Sequence, residues 1–147
     1  MIGLLHYMTH LPGPAPMLLA VLGGPPSDWL GGTELDERHH MLCIRPDGLL
    51  ADPDATVEVV VGLGPCTAIP GGLLRRLSFK VGEDTPEVRC DLEITTAKAD
   101  GCRMRLRGDY RPSLAADAAA VAETVEAVAR PLVEGIADRV SGSTLPV

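Results

Sequence analysis

Four histidines and four cysteines are the groups through which this chain could bind a metal or attack a carbonyl. Their spacing argues against both. His6 and His10 would share one face of a helix, but Leu4–Leu11 reads as a strand. Four strand residues separate them by roughly 13 Å at ~3.3 Å per residue, too far to share one ion. His39 and His40 are adjacent, so they point to opposite faces of a strand. Cys43 is the only thiol near them, and neither C-x-x-C nor H-E-x-x-H occurs. Cys43, Cys66, Cys90 and Cys102 show no signature tying a thiol to a histidine base, so buried, free thiols are expected. The Gly62-Leu63-Gly64-Pro65 run has no Lys-Ser/Thr after it and reads as a strand-ending turn, not a phosphate loop. Asp91 and Glu93 form a carboxylate pair on one face, but Arg103, Arg105 and Arg107 on the next segment would keep both ionised. That suits a solvated, ion-paired surface better than acid–base work. No catalytic residue, metal or cofactor is assigned. Tyr110 is the polar group that remains, because its parity with Cys90, Leu92, Ile94, Met104 and Leu106 sends the ring inward with a hydroxyl to orient a ligand or to bond to backbone. Trp29, an indole at the end of a short apolar segment, is a second candidate beside a cavity mouth.

The elements that must position these residues follow from periodicity. Pro12–Pro16 permits a helix start, Met17–Leu22 supplies a short apolar helix ended by Gly23-Gly24, and Pro25–Leu30 supplies another turn or two. From His39 the period becomes two: His40, Leu42 and Ile44 alternate with Met41, Cys43 and Arg45, and Thr56–Gly62 is rich in β-branched residues. Gly62 to Gly72 reads as a turn or loop. Leu77, Phe79 and Val81 then alternate with Arg76, Ser78 and Lys80. Val88–Thr95 and the strand from Cys102 form a hairpin. A three-residue loop, Ala99-Asp100-Gly101 with Gly101 at positive φ, would place Ile94 opposite Leu106 and Glu93 opposite Arg107. From about Leu114 to Val140, Ala118, Val121, Val125, Val128, Leu132, Ile136 and Val140 recur at spacings of three and four, the stripe of one long helix. Pro131 interrupts it, removing one hydrogen bond and clashing with the Ala127 carbonyl, so the helix should bend there.

The 147 residues, 46% hydrophobic and 22% charged, suit one domain over about 1–140 with 141–147 as a tail. A net charge of −7 repels nucleic-acid phosphates, and the aromatics Tyr7, Trp29, Phe79 and Tyr110 are too few for base stacking, so no nucleic-acid partner is expected. Met17–Leu22 is far short of the ~20 residues of a span, and no basic residue precedes Arg38, so the expectation is a cytoplasmic chain without membrane insertion, monomeric or homodimeric.

The order of elements is a strand, two short helices, a run of antiparallel strands and one long C-terminal helix. It predicts an α+β fold in which a curved antiparallel sheet wraps the helix. With Trp29-Leu30 after the short helices, Pro86 to Leu92, and the closing Arg105-Leu-Arg-Gly108-Asp-Tyr110-Arg-Pro112, the chain resembles the SRPBCC (START-like, helix-grip) superfamily, particularly its small polyketide-cyclase-like and lipid-transport-like members. That closing segment is similar to their G-x-Y-x-P-P lead into the last helix, with Ser113 in place of the second proline. The resemblance implies a cavity between sheet and helix for a small apolar molecule, with Tyr110, Trp29, Cys90, Leu92, Met104 and Val125 as its lining. A non-catalytic binding protein is the leading expectation. A polyketide cyclase or aromatase, or an interaction domain whose cavity is filled by its own side chains, are the alternatives.

Overall fold

Alternation of buried apolar with polar or charged residues, clearest along Gly72–Val81, Val88–Thr96 and Cys102–Tyr110, builds one curved antiparallel sheet that packs on a single long helix. The computed structural model describes residues 2–47, 54–83, 85–97, 101–112 and 117–142. In chain order these form β1 (Gly3–Leu11), α1 (Ala15–Gly23), α2 (Pro26–Trp29), β2 (Thr33–Glu34), β3 (His39–Ile44), β4 (Val57–Ile69), β5 (Gly72–Val81), β6 (Val88–Thr96), β7 (Cys102–Tyr110) and α3 (Ala118–Gly142). The strands lie in the order β1-β7-β6-β5-β4-β3-β2 with antiparallel neighbours.

Two readings of the sequence are corrected by β4 and by the β6–β7 register. Gly62 to Ile69 is strand, not loop. The register shifts between Leu63 and Cys66, a bulge that takes up Gly64 and Pro65 at a place where proline's missing N–H is tolerated. The reversal comes only at Pro70-Gly71, where Gly71 has φ +76°. In the β6–β7 hairpin, Ile94 faces Met104 and Glu93 faces Arg105, two residues from the expected register. The connection from Thr96 to Cys102 spans residues 97–101, closed by an Ala97 N–H to Gly101 O bond of 3.2 Å, so it is longer than a three-residue loop. Residues 98–100 of that connection lie outside the described residues. A slip of two preserves which face each side chain occupies. Gly101 has φ +139°, the positive value expected of it. The outer face is ion-paired as expected, with Glu93 bound by Arg105 and approached by Arg107 at 3.8 Å, and with Arg76 3.7 Å from Asp91.

The long helix begins at Ala118 because the Asp117 carboxylate accepts the Ala119 N–H at 3.0 Å, an N-cap that the expectation of a start near Leu114 overlooked. Residues 114–116 lie outside the described residues. At the other end α3 continues through Ser141 and Gly142, past the expected end at Val140. The expected stripe is buried at Val121, Val125, Val128, Leu132, Ile136 and Val140, and its first member, Ala118, is only half-buried at the helix start. So are Leu92, Ile94, Met104 and Leu106 on the sheet side. These last four, with Val125, Val128 and Val133, have 0% exposure, so no void that admits a water molecule touches them. Removing each such side chain from water contributes about 1.5–3 kcal/mol, and close packing makes the layer intolerant of change.

Candidate functional site

Tyr110 ends β7 on the inner face and pairs with Gly3 across to β1. A Cβ on Gly3 would fall on the tyrosine ring, so glycine there is what lets the ring lie flat over the neighbouring strand. Burial, with the Glu126 carboxylate nearby, pushes the Tyr110 phenol above its ordinary value. It is therefore a neutral donor at physiological pH and not a base. Cys90 is pushed up to about 12, by burial first and then by Asp91 and Asp109. A thiol held so firmly protonated is not a nucleophile. Leu92, Met104 and Val125 lie with Tyr110, Cys90 and Trp29 in one buried apolar cluster. Trp29 has 0% exposure, and its indole N–H points to the Gly24 carbonyl at 3.4 Å, tying α2 to the end of α1.

The expectation of buried thiols holds for Cys90 and Cys102 only, since Cys43 and Cys66 are exposed. Cys43 takes the outer parity of β3, between buried Leu42 and Ile44, and Cys66 follows the β4 bulge. His40 is buried on the inner face, while His39 is exposed and bonds through Nδ1 to Asp36 at 2.9 Å.

Arg75 is the residue that reading of the sequence missed. It pairs with Leu92 of β6, whose side chain is fully buried, so Arg75 occupies the inner parity of β5 with Leu77 and Phe79. Its guanidinium lies 5.5 Å from the centre of the Trp29 ring. Its Nε is shielded from solvent and has no hydrogen-bond partner. The signal was available: consecutive strand residues point to opposite faces, so one of two adjacent arginines must take the inner one. With Arg76 on the outer face, Arg75 had to point inward.

A cleft of about 250 Å³ opens between β3 and α3, with Leu42 and Ile44 on one wall, Leu132 and Ile136 on the other, and Pro131 and Gly135 along its helix side. Both of these residues are unfavourable inside a helix, by ~3 and ~1 kcal/mol relative to alanine. Proline has no N–H for the Ala127 carbonyl. That carbonyl instead accepts the N–H of Asp47, just beyond β3, at 3.0 Å. The site of helix damage is thus the site where the chain after β3 is fastened to α3. At Gly135 an added Cβ would meet nothing within 4 Å. Two larger depressions, of about 730 and 410 Å³, lie on the charged outer side of the sheet and are open to solvent.

The seven-stranded antiparallel sheet closed on a long C-terminal helix, with two short helices after the first strand, is the helix-grip fold of START-like proteins. Solved structures of that class superpose over nearly the whole chain. The Zhui aromatase/cyclase from Streptomyces sp. R1128 is 13% identical, with 97% of this chain and 93% of that one covered at a TM-score of 0.59. A START superfamily protein from Mycobacterium smegmatis is 10% identical, covering 96% and 99% at 0.56. Truncated norcoclaurine synthase from Thalictrum flavum is 13% identical, covering 100% and 96% at 0.55. Likeness at such identities is likeness of fold. No family model and no curated protein sequence matches the chain. No helix among the described residues is long and apolar enough to cross a membrane.

Proposed function

We propose that the protein is a soluble, cytoplasmic carrier of a small hydrophobic molecule, held between the sheet and α3 and reached through the cleft between β3 and α3. The observation that carries this reading is the pairing of Pro131 and Gly135 along that cleft. A helix selected only for stability would hold alanine or leucine at both positions, whereas these residues leave room beside four apolar side chains. At ~30 Å³ for a water-sized group, 250 Å³ accommodates roughly eight heavy atoms. A longer ligand would need the layer that contains Leu92, Met104 and Val125 to part. Tyr110 would then offer a hydroxyl donor to a ligand carbonyl or hydroxyl. The fold neighbours, among them proteins named for cyclase and synthase activities, supply the architecture for such a reading and do not choose between carrier and enzyme.

The test is a thermal-shift and native mass spectrometry screen of fatty acids, sterols and aromatic polyketides. Binding at 100 times Kd should add about 2.7 kcal/mol to stability. Gly135→Phe, which fills the cleft, should abolish the shift without unfolding the protein. The full burial of Leu92, Ile94, Met104 and Leu106 favours one other reading, an interaction domain whose interior is occupied by its own side chains. The absence of a shift with every apolar class would select it.

A further inference from the structure

We infer that the ligand carries a single carboxylate and that Arg75 is the residue that binds it, an inference that rests on the carrier reading. The inner face of β5 is apolar at Leu77 and Phe79, and a leucine at 75 would complete the row. An arginine on this face must keep a charge close to the apolar core, which is unfavourable unless something compensates it. The Trp29 ring compensates in part, since a cation over an indole face is attracted to it. The Nε–H itself is shielded from solvent and has no nitrogen, oxygen or sulfur acceptor among the described residues. No carboxylate of the described residues pairs with Arg75, although Arg45, Arg76, Arg105, Arg107 and Arg130 each have one. A shielded guanidinium donor without an acceptor is the complement of a planar anion brought in with an apolar body.

The chemistry narrows the anion. One arginine with one shielded, unused donor suits a monoanion, and the net charge of −7 disfavours a phosphate dianion. Neither Arg75 nor Trp29 lines the cleft; Leu30, next to Trp29 in the chain, does, and Trp29 is fully buried, so the indole would have to shift for a ligand head group to reach Arg75. With that shift, an apolar acid would place its chain along Leu30 and Leu42 and its carboxylate at Arg75, giving the shielded Nε–H a charge-assisted hydrogen bond.

Octanoate and 1-octanol, which share an eight-carbon chain and differ in the head group, test this. Octanoate should bind the wild-type protein roughly ten- to a hundredfold more tightly than 1-octanol, the range of a hydrogen bond to a charged group. Arg75→Gln should bring octanoate down to the affinity that the same variant shows for 1-octanol, while Arg75→Lys, which keeps a cation over Trp29 without the fork, should retain only part of the preference. If Arg75→Gln fails to fold, the wild-type protein still decides the matter, because octanoate but not 1-octanol should shift the Arg75 Nε–H resonance in a ¹H–¹⁵N spectrum. Equal affinities, a preference that survives in Arg75→Gln, or an unmoved Nε–H resonance, as a resident water on that donor would give, overturns the inference. Binding of 1-octanol in any of those cases leaves the carrier reading standing. Failure of both probes and of the wider ligand screen removes the two together.

Discussion

The two halves of α3 face the same sheet under opposite demands. In the first half, Val125 and Val128 press on a layer with no accessible surface, and every position on the stripe is a good packing residue. In the second half, Pro131 and Gly135 sit beside a 250 Å³ cleft, and a backbone carbonyl freed by proline is bound by the chain that follows β3. The first half is built as a core must be. The second accepts helix-weakening residues where it meets β3, and the difference separates what holds the fold from what the fold leaves open.

The contrast can be broken most severely in the first half. Val125→Asp or Val128→Asp places an unpaired charge in the closed layer and should unfold the protein, a loss of several kcal/mol. Glu123→Ala and Glu126→Ala on the solvent side should each change stability by less than about 0.5 kcal/mol in urea melts. Equal losses in all four variants would mean that the helix face has been misassigned.

Alkaline titration probes the same layer. The Cys90 thiol is raised from 9.0 to about 12 in the folded protein. Above pH 9 the unfolded chain releases this proton and the native state does not, so the native state holds more protons and stability falls as pH rises. The expected slope approaches ~1.4 kcal/mol per pH unit between the two values, and Cys90→Ala should lose that component. Cys43 and Cys66, being exposed, should react with a thiol reagent at pH 8 while Cys90 stays protected until the protein unfolds.

Smaller effects are expected in the second half. Pro131→Ala restores an N–H for the Ala127 carbonyl, at a position where proline costs a helix ~3 kcal/mol, and removes the Asp47 bond, worth ~1 kcal/mol. The fold should survive with an equal or higher melting temperature, and the Asp47 amide should lose hydrogen-exchange protection. Unchanged protection at Asp47 would show that its bond does not depend on the proline. Gly135→Ala should stabilise by about 0.5–1 kcal/mol, because the added methyl meets nothing and the helix gains propensity.

Period-two and period-3.6 patterns made most of this architecture legible, because each strand of the hairpin buries one face and α3 buries one stripe. The length of β4 was not legible. Gly62-Leu-Gly-Pro65 has the composition of a turn, and only pairing to Ser78, Leu77 and Arg75 makes it a bulged strand. The β6–β7 register was missed by two because the opposed charges satisfy either alignment: Glu93 meets an arginine at 105 or at 107. Of the candidate site, the buried positions of Tyr110, Cys90, Leu92, Met104 and Val125 followed from parity and stripe, whereas Trp29, expected beside a cavity mouth, is fully buried against the end of α1. Arg75 did not emerge, although the Arg75-Arg76 pair carried the signal. The cleft could not emerge at all, since Pro131 and Gly135 meet Leu42 and Ile44 only in the folded chain.

The central claim is that an apolar molecule enters between β3 and α3, and a ¹H–¹⁵N titration of the wild-type protein with 1-octanol beside Gly135→Phe tests it most directly. Saturable shifts should gather at Leu42–Ile44 and Leu132–Ile136 in the wild type and disappear in the variant. Shifts scattered over the outer face of the sheet, or shifts that persist unchanged in Gly135→Phe, would contradict it.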